Sequence, residues 1–99
     1  MKTSPFVLIV DDDRAWAEGV ADLFVAYGYE TEIVANGRLA VERARRGDFD
    51  IAFLDAEMSG VDGFSEIRKL KPQARIVMMA GADAPLAFER MLEIVETTA

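Results

Sequence analysis

The chain contains no cysteine and no histidine in its 99 residues. Without thiols there is neither a disulfide framework nor a thiolate metal site, and without imidazole there is no ring-nitrogen ligand or base. Any metal ion must therefore be held by oxygen. Lysine is scarce, with Lys2, Lys69 and Lys71 the only examples, and 18 acidic side chains outweigh 11 basic ones to leave a net charge of −7. Affinity for a phosphate backbone comes from Lys and Arg releasing counterions, so this balance argues against direct nucleic-acid binding. The apolar runs are far shorter than the roughly 18 to 20 residues that cross a bilayer, and Met1 to Pro5 does not read as a signal peptide. The expectation is a cytoplasmic chain with no membrane contact.

What is present is a composition fit for folding, 52% hydrophobic and 29% charged. A chain of this length makes one domain, spanning residues 1–99, and buries about 60 to 65% of the surface its unfolded form exposes. Two apolar runs end abruptly in acids: Phe6 to Val10 lead into Asp11, Asp12 and Asp13, and Ile51 to Leu54 lead into Asp55. Runs this apolar read as strands buried on both faces, and in a parallel sheet their C-terminal ends share one edge. The acids then meet there. Carboxylates crowded together repel one another unless a hard divalent cation or a shared proton offsets their charge, so Mg²⁺ and phosphate chemistry are the first functions to consider.

The elements between these runs alternate. Asp13 is placed to cap a helix from Arg14 to about Tyr27, with Trp16, Val20, Leu23, Phe24 and Tyr27 as its buried stripe and Gly28 as its stop. Thr31 to Ala35 reads as a second strand, Asn36-Gly37 as a turn, and Leu39 to Arg46 as a second helix closed by Gly47. Arg43, Arg45 and Arg46 on that helix read as a solvated face. Asp48 to Leu54 forms the third strand, and a helix marked by Phe64, Ile67 and Leu70 must finish before Pro72. Ile76 to Met79 is the fourth strand, and Gly81 and Asp83 begin a last helix with Pro85 in its first turn. Strict alternation implies a doubly wound parallel α/β sheet of four strand and helix units, with ligands bound at the carboxyl ends of its strands.

Three stretches then resemble the receiver domain of bacterial two-component response regulators. Val7 to Asp13 is similar to that family's first strand and acidic pair, and Asp55-Ala-Glu-Met-Ser-Gly-Val-Asp-Gly63 to the segment around its phosphorylated aspartate. The resemblance implies a CheY-like, flavodoxin-like fold in which Asp55 is the phosphoacceptor. It further implies that Asp11, Asp12, Asp55 and the backbone carbonyl of Glu57 organise Mg²⁺, with Asp11 acting mainly through water. The partners it implies are a sensor histidine kinase or phosphotransfer protein and a downstream protein target. It also implies a signalling module rather than an enzyme.

The chain departs from the family in specific places. Where the family has a Thr or Ser hydroxyl at the end of the fourth strand this sequence has Ala80, and no lysine stands where the family's phosphoryl-pairing lysine would follow a fifth strand. Ser59 replaces the usual proline after Met58. The expectation is a receiver of four units lacking the final strand and helix, with weakened phosphorylation or switching. A phosphorylation-independent interaction module is the alternative, and a Mg²⁺-dependent aspartyl phosphatase of the haloacid dehalogenase type a more distant one, for which the chain is too short. A sheet that stops at Ile76 to Met79 leaves an apolar edge and costs the first helix a neighbour. Uncovered edges invite pairing, so a homodimer through the fourth strand and last helix is expected.

Overall fold

The computed structural model describes residues 5–55, 63–79 and 87–98. Four strands, β1 (Phe6–Val10), β2 (Glu30–Val34), β3 (Ile51–Asp55) and β4 (Arg75–Met79), alternate with four helices, α1 (Arg14–Ala26), α2 (Gly37–Arg46), α3 (Gly63–Leu70) and α4 (Ala87–Glu96). The strands form one parallel sheet in the order β2-β1-β3-β4, as the alternation of elements predicts. Both central strands are buried on their two faces, which is why their sequences are continuous apolar runs rather than alternating ones. Val7, Ile9, Ile51 and Phe53 face a layer built by α1 and α4; Leu8, Val10, Ala52 and Leu54 face one built by α2 and α3.

Helix starts follow local chemistry. The Asp13 side chain accepts a hydrogen bond from the Trp16 N–H, and Asn36 does the same for Leu39, so each cap satisfies an N–H that has no partner within its own helix. After α1, Gly28 adopts φ +91°, a conformation that side-chain-bearing residues rarely take. Tyr29 then donates back to the Phe24 carbonyl and leads into β2. The start expected for the last helix, at Gly81, Asp83 and Pro85, lies outside the described residues.

Several expectations need correction. The third strand starts at Ile51 rather than Asp48 and runs on to Asp55. The buried stripe of α1 is Ala17, Val20, Ala21 and Phe24, whereas Leu23 and Tyr27 are 45% and 57% exposed. Two alanines bring the helix axis close to the sheet, and that rotates the larger Leu23 and Tyr27 to the rim. The second strand begins one residue earlier than expected and ends at Val34, because its pairing with β1 is set by Phe6 opposite Glu30. Arg43 is not part of a solvated face: its guanidinium pairs with Glu32 at 2.7 Å, donates to the Gly47 and Asp48 carbonyls, and lies over the Phe6 ring. Lastly, α1 keeps a neighbour, since α4 returns to its side of the sheet and sets Phe88 against Phe24 with ring centroids 5.1 Å apart.

Candidate metal and phosphoryl site

The site is built at the carboxyl edge of the two central strands. Asp11 is the first residue beyond β1, and its N–H donates to the Val34 carbonyl at 3.1 Å, which carries the β1–β2 ladder one step further. Its Oδ1 then accepts from the N–H of Asp13 at 2.8 Å, closing a tight turn that presents Asp12 to solvent. Asp55 ends β3. Because Val10 is paired with Leu54, the next residues along, Asp11 and Asp55, stand side by side on neighbouring strands.

Oxygen atoms from Asp11, Asp12 and Asp55 lie within 4.8 Å of one another. Asp11 is the one buried polar or charged residue among those described, at 8% exposure. Burial pushes its carboxyl above the ordinary aspartate range; the Asp13 N–H opposes that shift, and the negative charges of Asp55, Asp12 and Asp13 add to it. All the charges acting on Asp11 are thus of its own sign. Such a cluster suits a hard cation: oxygens bound to one Mg²⁺ at about 2.0 to 2.1 Å lie at most about 4.2 Å apart, and this ion keeps several waters that bridge any longer gap.

The sequence correctly brings Asp11, Asp12 and Asp55 together and makes Asp13 a helix cap. Glu57, expected to contribute a carbonyl, and Ala80, the position without a hydroxyl, lie outside the described residues. Neither described lysine reaches the site. Lys69 is in the last turn of α3 and Lys71 pairs with Asp48 at 2.7 Å, both at the opposite end of the sheet. One role was missed by sequence reasoning, that of Asp11 as the acceptor that shapes the turn into α1. An Asp two residues before a helix cap was its only signal, and that pattern also fits a residue facing solvent.

The chain matches the response regulator receiver domain family over residues 7–95. It is 31% identical to the transcriptional regulatory protein ZraR of Escherichia coli K12 over 96 residues, covering 94% of this chain and 21% of ZraR. With the chemotaxis protein CheY of Thermotoga maritima the identity is 40% over 76 residues, 73% of this chain and 63% of CheY. The chain therefore spans about a fifth of ZraR and less than two thirds of CheY. Among solved structures, the response regulator TrrA of Thermotoga maritima in complex with Mg²⁺-BeF superimposes with a TM-score of 0.80 at 25% identity, over 96% of this chain and 99% of that one. A structure of histidine kinase ThkA in complex with TrrA matches with a TM-score of 0.70 at 31% identity, covering 78% of this chain and 69% of that one. The chain belongs to the response regulator receiver domain family of two-component signalling. Domains of this family are signalling modules of CheY-like fold. No helix among the described residues is long and apolar enough to cross a membrane.

Proposed function

We propose that the chain is a single receiver domain that binds Mg²⁺ through Asp11, Asp12, Asp55 and the Glu57 carbonyl and accepts a phosphoryl group on Asp55. The observation that carries this reading is the convergence of three carboxylates from two strands within 4.8 Å, around an acid whose burial and neighbours disfavour its charge. Turns and caps do not require such a cluster. The donor is a phosphohistidine on a sensor kinase or phosphotransfer protein, a role supported by the TrrA structure with a histidine kinase. An Asp55 carboxylate oxygen bonds to phosphorus as the bond from phosphorus to the donor imidazole breaks, and the imidazole leaves with its electron pair. Bound Mg²⁺ supplies the positive charge that lets one anion approach another. Asp12 and Asp55 would hold the ion directly and Asp11 would act through water, while through the Asp13 N–H Asp11 fixes the turn that carries Asp12.

Two features separate metal binding from switching. Ala80 offers no hydroxyl to a phosphoryl oxygen, and no described lysine stands at the site's end of the sheet. A hydrogen bond to a charged group contributes about 1.5 to 3 kcal/mol, so phosphorylation is slow and its signal weak. These same features favour a second reading, an interaction module that keeps the acidic pocket and no longer responds to phosphate. In either case the chain acts through protein contacts in the cytoplasm, with a downstream protein target and a second copy meeting it at β4 and α4.

Intact mass after incubation with Mg²⁺ and a small phosphodonor separates the two. One phosphate added to the chain and absent from Asp55→Asn supports the first; Mg²⁺ binding with no adduct supports the second. Sustained turnover of phosphate esters contradicts both.

A further inference from the structure

The two edges of the sheet differ in kind. On β2, Glu30 and Glu32 alternate with Thr31 and Ile33, charges that discourage another strand from pairing. On β4 the four residues Ile76, Val77, Met78 and Met79 are uncharged, and among the described strands β4 is hydrogen-bonded to β3 alone. Apolar side chains border this edge on both faces. On the α3 side, Met78 is 38% exposed and Ile76 is half-buried. On the α4 side, Met91 and Val95 are fully buried and Phe88 turns to Phe24 of α1, so the 100° step per residue puts Ile94 on the flank away from α1.

Among the described residues, the position of α4 leaves this edge uncovered. Right-handed crossovers place α1 on one face of the sheet and α2 and α3 on the other, so a helix leading to a strand beyond β4 would join α2 and α3. Instead α4 packs on the α1 face. It closes that layer and leaves the α3 side of β4 half-covered.

We propose that two copies of the chain join edge to edge along β4, antiparallel about a two-fold axis through Val77, and that each places Arg75 beside the acidic strand end of the other. This deepens the dimer reading above and rests on it. Self-pairing about Val77 uses all five residues of β4 and sets Arg75 opposite Met79 of the second copy. Met79 is in turn paired with Asp55. Residues 75, 77 and 79 share the face of the sheet that carries Ile51, Phe53 and Asp55, so Arg75 arrives on the same face as that carboxylate. Charge complementarity therefore selects a second copy as the occupant: the sole charge on β4 is a cation, and it meets the anionic cluster of Asp11, Asp12 and Asp55. Arg75 gives up an exposed hydrogen bond to the Thr97 hydroxyl at 3.2 Å.

The absence of cysteine makes the test direct. Light scattering of the 99-residue chain at micromolar concentration should give twice its 10.9 kDa. Val77→Cys, on the axis, should form a disulfide-linked dimer under mild oxidation at least about tenfold faster than Ser65→Cys on exposed α3, because paired Cα atoms about 5 Å apart lie within disulfide reach. Met78→Cys, whose two copies would be about 8 Å apart, should be as slow as Ser65→Cys. A monomeric mass overturns the proposal. So does a dimer in which Val77→Cys cross-links no faster than the α3 control while its circular dichroism matches the unmodified chain. If Val77→Cys does not fold, fast cross-linking of Met78→Cys contradicts the register and slow cross-linking within a dimer supports it. These readouts need no phosphodonor, so a missing phosphate adduct leaves the dimer standing, and a monomer leaves phosphorylation of Asp55 standing.

Discussion

Asp11 Oδ1 accepts a hydrogen bond from the backbone N–H of Asp13 at 2.8 Å, so the carboxylate that stands beside Asp55 also fixes the first turn of α1. Site and scaffold are coupled through this one bond. Asp13 in turn caps α1 through the Trp16 N–H. A change in the charge of Asp11 is therefore felt by the proposed metal site, by Asp12 and by the helix start.

The raised titration of Asp11 fixes the sign of a pH dependence. A carboxyl whose folded-state pKa is above its unfolded value favours folding while protonated, and that contribution is lost as pH rises through the folded-state pKa. Metal-free chain should thus gain stability as pH falls from neutrality into that range, and Mg²⁺ affinity should fall over the same range because proton and metal compete. Asp11→Asn retains the acceptor for the Asp13 N–H and removes the charge. It should raise the metal-free Tm, on a scale of about 4 to 8 °C per kcal/mol for a domain of this size, and remove most of the further rise on adding Mg²⁺. Thermal melts at several pH values, with and without Mg²⁺, check both signs.

Removing the cap tests the coupling from the other side. Asp13→Ala should cost about 0.5 to 2 kcal/mol of stability in urea unfolding. It keeps the N–H that donates to Asp11, so Mg²⁺ affinity should change less than tenfold. A far larger loss would make Asp13 a ligand rather than a cap.

How much of this was legible in the sequence depended on whether a signal was local. The strand Phe6–Val10, the cap Asp13 and the meeting of Asp11 with Asp55 follow from an apolar run, capping chemistry and the parallel pairing that alternation imposes, whereas the third strand starts at Ile51 rather than Asp48 and Asn36, read as a turn, caps α2. The rotation of α1 was not legible, because a helix whose apolar residues include both alanines and large side chains has two plausible stripes and only packing chooses between them. Arg43 escaped for a similar reason. Its partners Glu32, Gly47, Asp48 and Phe6 are drawn from β1, β2 and the segment after α2, and its neighbours Arg45 and Arg46 suggested a uniform solvated face.

Arg43 supplies a prediction that leaves the site alone. The guanidinium is largely buried and holds an ion pair, two carbonyls and an aromatic face, so Arg43→Ala loses packing as well as charge. Its cost should be about 2 to 4 kcal/mol, as for a partly buried charge-assisted network. Arg46→Ala, at an exposed position, should lie within about 0.5 kcal/mol of the unmodified chain. Equilibrium urea unfolding of the two variants measures the difference, and Mg²⁺ affinity should be unchanged in Arg46→Ala.

Restoring a hydroxyl tests the cause assigned to weak phosphorylation. Ala80→Thr should speed formation of the phosphate adduct on Asp55 by about tenfold or more, the equivalent of one hydrogen bond to a charged oxygen. The comparison is the rate of adduct appearance by intact mass under identical Mg²⁺ and phosphodonor. Equal rates would assign the deficit elsewhere.

Calorimetric titration with Mg²⁺ addresses the central claim that Asp11, Asp12 and Asp55 form one metal site. The unmodified chain should give a saturable isotherm with one ion per chain, and Asp12→Asn and Asp55→Asn should each weaken it at least about tenfold, as the loss of a direct carboxylate ligand requires. An isotherm that does not saturate, or one that Asp55→Asn leaves unchanged, would contradict the account.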